Sequence, residues 1–255
     1  MNRPPSYNTR WLFPLLVSIS LIVAANTPFA QSSSPRTTLS PPPSVELTYY
    51  IRLKYAAMSI GGHSSIVWKN QGNRYTIQTS AYANLLGKML DTTSSGHRDA
   101  YFLLPERFKE KRRRKEETQT NFDYARNTLT LSEKQKTLPL EKGLQDRASV
   151  VWQLVSMARA APERFRAGNS LRIPVINRSR IDTWEIRVVG SETLVTPLGN
   201  LETIHLEKRA AKGKNVEIWL TPDHDWYPAQ LIITDEKDNY RLEQVIRKIT
   251  PVTTP

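Results

Sequence analysis

The sequence predicts a mainly β (α+β) domain, with one large curved antiparallel sheet or open barrel-like wrap around one principal amphipathic helix at about residues 146–161. Three observations carry this prediction. Runs in which apolar and polar residues alternate recur along most of the chain, as half-buried strands require. The breaks between them carry turn residues, among them Gln71-Gly72-Asn73, Leu198-Gly199-Asn200 and Lys237-Asp238-Asn239. Only residues 144–168 form a long stretch with clear helical periodicity: Leu144, Ala148, Val151, Val155 and Ala158 recur at alternating spacings of four and three.

Taken in order, residues 1–30 read as a secretory signal. Arg3 and Arg10 supply its positive start, residues 12–25 its apolar core, and Ala30 or Ala25 its cleavage point. That core is short of the about 20 apolar residues of a membrane span, so no transmembrane span is expected in the mature chain. Residues 31–44, rich in Ser and Pro, read as a disordered linker. Residues 45–250 form a single β-rich domain, and residues 251–255 a tail.

Within the domain, residues 45–55 alternate cleanly, Ser59-Ile60-Gly61-Gly62 reads as a turn, and residues 64–69 and 74–83 complete a meander. Residues 85–90 fit a short helix or an apolar loop. Strands follow at 108–115, 118–126 and 128–134. Asp146 caps the helix, and Pro162 and Gly168 punctuate its end. Further strands are expected at 171–176, 181–189, 192–196, 201–209, 215–221, 227–234 and 240–249. A lone helix among strands must bury its stripe, and the concave side of a curled sheet is the available place.

Composition limits the chemistry. The chain has no cysteine, which excludes disulfides, thiolate metal sites and thiol nucleophiles. Its net charge of +12 favours acidic partners such as anionic lipid, a cell-wall polymer or nucleic acid. Nucleic acid fits the charge but not a secreted chain whose helix has its apolar stripe committed to the core.

The sharpest electrostatic feature is the run around Lys109, Lys111, Arg112, Arg113, Arg114 and Lys115. As a strand it bears cations on both faces, which predicts an edge strand or a protruding hairpin. Its functional reading is contact with an anionic surface; the simpler one is an edge guarded by charge against aggregation. Asp223-His224-Asp225 puts metal-ligand types in a turn, but such turns commonly serve backbone hydrogen bonding, so no metal site is assigned. Neither a nucleophile elbow, a paired-histidine zinc motif nor a phosphate loop is present, and no catalytic residue or cofactor is expected. Ser94-Ser95-Gly96-His97 sets a nucleophile type near a base type, but on a strand the two point in different directions. Trp152, Trp184, Trp219 and Trp226, with Tyr49, Tyr55 and Tyr75, are core residues or the lining of a ligand cavity.

Several pieces of the chain together resemble a family of bacterial envelope proteins, domain of unknown function 3108. They are Ile60-Gly61-Gly62, Ser94-Ser95-Gly96, Leu104-Pro105-Glu106-Arg107-Phe108, Asn121-Phe122-Asp123, Gln145-Asp146-Arg147-Ala148-Ser149, Thr196-Pro197-Leu198-Gly199, Glu217-Ile218-Trp219-Leu220 and Tyr227-Pro228. The resemblance implies a shape similar to the periplasmic lipoprotein carriers, an open curved sheet around helical elements with an apolar interior. It implies no catalytic residues.

The expected function is therefore non-enzymatic binding, by a periplasmic protein, of an apolar or amphipathic envelope component in the concave face of the sheet. The alternatives are an interaction module that holds an acidic protein or cell-wall polymer through a basic edge strand and, third, a hydrolase.

Overall fold

The computed structural model describes residues 37–210, 213–237 and 239–253. The chain enters at the centre of the sheet with β1 (Val45–Tyr55). It runs outward as a meander through β2 (Met58–Gln71), β3 (Arg74–Ala83), β4 (Gly87–Arg98), β5 (Leu103–Arg112), β6 (Thr118–Asp123), β7 (Thr128–Leu131) and β8 (Lys136–Pro139). Helix α1 (Ser149–Ala160) then crosses to the opposite edge. From there β9 (Ser170–Ile176), β10 (Ile181–Thr196), β11 (Gly199–Lys208), β12 (Lys214–Thr221), β13 (Tyr227–Asp235) and β14 (Tyr240–Pro251) meander back, until β14 pairs with β1. The result is one curved, 14-stranded antiparallel sheet. The two sets of strands on either side of the helix thus belong to one sheet rather than to two domains.

The sheet does not close into a barrel, since its edges β8 and β9 are not paired with each other. The segment that leads into the helix covers part of the gap. Gln145 bridges Val175 in parallel fashion, accepting a hydrogen bond from Ile176 N at 2.8 Å and donating one to Pro174 O at 2.9 Å. The exposed edge β8 is only four residues long and carries Lys136 and Pro139, both of which discourage strand addition.

Helix α1 lies in the hollow and is buried almost all round: Val150, Trp152, Leu154, Val155 and Ala158 join the core that Leu47, Trp68, Ile77, Val188 and Leu206 supply from the sheet. Each Val, Leu and Ile side chain among them stabilises the fold by roughly 1.5–3 kcal/mol through the apolar surface that it removes from water. Polar residues fix the helix in register. Gln153 Oε1 accepts a hydrogen bond from Leu103 N at 2.7 Å, and Gln145 Nε2 donates to Leu103 O at 2.7 Å, so both backbone groups at the start of β5 are satisfied from the helix side.

Several boundaries differ from expectation. The helix proper, Ser149–Ala160, is shorter than 146–161: the Asp146 carboxylate holds residues 147–148 in a turn before it, and Pro162 opens a 3₁₀ turn, Pro162–Phe165, after it. Residues 1–36, with the signal segment and the start of the linker, lie outside the described residues. Residues 37–44 are not a free linker: Leu39 is core, Leu39 N–H donates to Ala100 O at 2.7 Å, and the carbonyls of Pro42 and Pro43 accept from Trp68 Nε1 (3.1 Å) and Tyr227 Oη (3.0 Å). A proline-rich segment has few N–H groups but all its carbonyls, and here buried aromatic donors use them. Residues 59–62 continue β2, and the turn falls at Ala56-Ala57 instead. Gly62 serves close approach, since a Cβ there would stand 2.0 Å from Tyr82 O on β3. Residues 85–90 are a turn followed by β4, and the two strands expected between 181 and 196 are one, β10, with a bulge near Gly190.

The basic run is not at an edge. β5 pairs with β4 on one side and β6 on the other. The expectation overlooked Glu110: Phe108, Glu110 and Arg112 share the inward face, where the carboxylate neutralises the arginine, while Lys109 and Lys111 point outward. Pairing with β6 ends at Glu110, whereas Lys111 and Arg112 still pair with β4, and residues 113–117 form the hairpin tip.

Candidate ligand-binding cavity

Because α1 fills one side of the hollow, a cavity of about 440 Å3 remains between the helix and the inner faces of β1–β5, β13 and β14. Its wall is mostly apolar, with Ile77, Met89, Leu231 and Leu242 from the sheet and Val151 from the helix. Trp152 forms one wall and is itself held by stacking on Trp68 (ring centres 4.6 Å apart, planes at 10°) and by an edge contact with Tyr227 at 6.2 Å. Tyr49 also lines the space. Its hydroxyl donates to Pro228 O at 2.9 Å, and burial pushes it far above the usual phenol range, so it stays neutral.

The polar groups gather at one end. Glu110, 7 % exposed, accepts from both Arg112 and Arg147, and the Arg147 guanidinium lies over the Phe108 ring at 5.6 Å. Lys214 also reaches the cavity, with its ammonium 4.8 Å from the Tyr240 ring centre. The cavity is thus lined by three cations, Arg112, Arg147 and Lys214, and by one carboxylate, Glu110, which two of them engage. Such an arrangement accepts an apolar body with an anionic group at one end.

Behind the cavity lies a buried polar knot. Asp146 Oδ1 accepts from the amides of Ala148 (2.8 Å) and Ser149 (2.9 Å), and Asp146 N–H donates to Ser149 Oγ at 2.9 Å. These reciprocal bonds hold the turn that leads into α1. The helix itself starts at Ser149 with Ala148 as its N-cap and no side-chain cap bond, so Asp146 caps the preceding turn and not, as the sequence predicts, the helix. Asp146 Oδ2 accepts from Ser94 Oγ at 2.6 Å. Despite these bonds, burial raises the Asp146 carboxyl above its ordinary value. A carboxyl with a raised folded pKa adds most stability below its unfolded value, about 3.9, and loses that contribution as pH rises through the folded value. Asp146→Asn has no such titration. The stability of the parent relative to Asp146→Asn is therefore expected to fall as pH increases from about 4 and then level off. Urea midpoints of both proteins across the acid-to-neutral range check this, and a difference that grows with pH contradicts it.

Of the residues singled out in the sequence, the structure brings Arg112, Tyr49 and Trp152 to the cavity. Lys109 pairs with Glu117 at 3.3 Å on the outer side, and Lys111 at the end of β5 and Arg113, Arg114 and Lys115 of the hairpin tip are exposed. Trp219 stacks on His205 at 4.2 Å, Trp226 packs by Phe165 at 5.8 Å, and Tyr55 is half-exposed. Asp225 of the Asp-rich turn pairs with Arg159. His63 stacks on Tyr82, His97 bonds Glu106 at 2.9 Å and His205 approaches Glu217 at 3.3 Å. Sequence reasoning missed Glu110, Arg147 and Lys214 as a set. The period-2 series Phe108, Glu110, Arg112 held a signal for the first, an acid among inward positions. Arg147 had none, because its partner is 37 residues away in sequence.

An open antiparallel sheet that wraps a helix and an apolar cavity defines a class of curved-sheet, barrel-like envelope around an interior space. The chain belongs to the family described as Protein of unknown function (DUF3108), whose profile matches residues 48–245. No curated protein matches it in sequence. Among solved structures it is similar to the beta-barrel-like protein of domain of unknown function DUF1849 from Brucella abortus, at 12% identity over 84% of this chain and 100% of that one, with a TM-score of 0.57. At that identity the likeness is one of fold. A domain described as an outer membrane lipoprotein-sorting protein, from Vibrio parahaemolyticus, aligns over 84% of this chain and 87% of its own at 8% identity, with a TM-score of 0.30. A DUF1329 family protein from Desulfovibrio piger aligns over 84% and 88% at 4% identity, with a TM-score of 0.29. Superpositions this loose carry no argument. Among the described residues no helix is long and apolar enough to cross a membrane.

Proposed function

We propose that this protein is a non-enzymatic binding protein of the bacterial periplasm, and that it holds one amphipathic envelope component, an acyl chain with an anionic group, in the hollow of its sheet. The observation that carries this reading is the cavity of about 440 Å3, with a mostly apolar wall and three cations, Arg112, Arg147 and Lys214. Its size falls within the roughly 300–1,000 Å3 of small-molecule sites. The charged groups on the wall suit holding rather than reacting. Glu110, the carboxylate on the wall, is engaged by two arginines. The secretory-type N-terminus supports the location.

Titration with a fluorescent acyl probe such as parinaric acid tests the reading. Saturable one-site binding is expected, with displacement by palmitate at least about tenfold better than by hexadecyltrimethylammonium, a cation of the same chain length, a difference of about 1.4 kcal/mol. Absence of saturable binding contradicts the proposal, and equal displacement by the cation removes the role given to the arginines.

A further inference from the structure

Alternate turns of an antiparallel meander lie on the same side of the sheet. The β1–β2 turn at Ala56-Ala57, the β3–β4 turn at Asn84-Leu85-Leu86, the β5–β6 tip at 113–117 and the β13 end of the β13–β14 connection therefore share one rim. Hydrogen bonds join neighbouring parts of it: Ala56 N–H donates to Asn239 O at 3.1 Å, Asn84 N–H to Gly61 O at 2.9 Å and Arg113 N–H to Met89 O at 3.0 Å. The cavity reaches the same rim, since Met89, Arg112, Lys214, Ile233 and Leu242 line it from the rim-side ends of their strands.

This rim exposes what a soluble surface normally hides. Leu85 is 105% exposed, Met58 59% and Leu86 38%, with Tyr55 at 50% beside them. Leu85 also has φ 64, a left-handed conformation that a bulky side chain rarely adopts, so the turn holds an apolar side chain outward against its backbone preference. On the same rim Lys111 at the end of β5 and Arg113, Arg114 and Lys115 of the hairpin tip stand against two carboxylates, Glu116 and Glu117, the second of which pairs with Lys109 at 3.3 Å. Exposed apolar tips next to cations match one surface in particular, an apolar layer beneath anionic headgroups.

We propose that this rim docks on an anionic lipid bilayer, with Leu85, Leu86 and Met58 entering the interfacial layer and Lys111, Arg113, Arg114 and Lys115 resting on headgroups, so that the cavity mouth faces the membrane. Docking does not depend on what fills the cavity.

Flotation with phosphatidylglycerol-containing vesicles, and with phosphatidylcholine vesicles as reference, tests the proposal. The protein is expected to float with the anionic vesicles and not with the neutral ones. The triple reversal Arg113→Glu, Arg114→Glu, Lys115→Glu is expected to lower partitioning at least about tenfold. The double change Leu85→Ser, Leu86→Ser is expected to lower it several-fold at unchanged melting temperature, since both side chains are exposed. Three results overturn the proposal: no flotation, flotation that neither variant weakens, or binding that the Leu changes leave intact and soluble heparin matches, which assigns the cations to an acidic polymer. The acyl-probe titration, read without vesicles, fails or succeeds separately.

Discussion

Replacing Trp152 by Ala is expected to destabilise the protein by about 3–5 kcal/mol, the usual cost of deleting a buried tryptophan. That is a large share of the roughly 5–15 kcal/mol by which domains are stable. Trp152 is 2% exposed and sits between Trp68 and Tyr227, so one substitution removes a stack, an edge contact and most of the helix's grip on the sheet. Packing cannot easily close the void, because the space beyond Trp152 is already the cavity. The variant should therefore show a lower urea midpoint at an unchanged m-value. A loss below about 1 kcal/mol contradicts the view that this aromatic group anchors α1.

How much of this was legible in the sequence follows from what each feature depends on. Periodicity is local, so β1 and β3 fall at their expected residues and α1 lies in the concave hollow as a lone buried stripe requires. Gly61 and Gly62 misled because glycine marks both turns and close strand approach, and only the position of Tyr82 O on β3 separates the two. The linker reading failed at Leu39, Pro42 and Pro43 because the donors that fix this segment, Trp68 and Tyr227, come from β2 and β13. The hairpin tip was visible as a run of cations, whereas the cavity's charged end was not. Its members lie on β5, on the turn before α1 and on β12, and only the crossing of α1 through the hollow brings them together.

Filling the cavity should abolish binding while sparing the fold. Val151 and Leu231 line the space from opposite sides, the helix and β13, and both are only partly buried. Val151→Trp with Leu231→Phe adds bulk to empty volume, so the about 1–3 kcal/mol of strain that overpacking causes in a dense core is largely avoided. Acyl-probe affinity should nonetheless fall more than about tenfold, because the chain's place is taken and its apolar contacts are lost. A variant that binds the probe as the parent does shows that the ligand sits elsewhere.

Native mass spectrometry of the protein isolated from its own cell envelope in non-denaturing buffer, beside the Val151→Trp, Leu231→Phe variant prepared in the same way, tests the central claim most directly. The parent is predicted to carry one adduct, of the mass of a single acyl-bearing anionic molecule, and the filled variant to appear as the bare chain. A parent that appears bare, or an adduct that both proteins carry alike, contradicts the account.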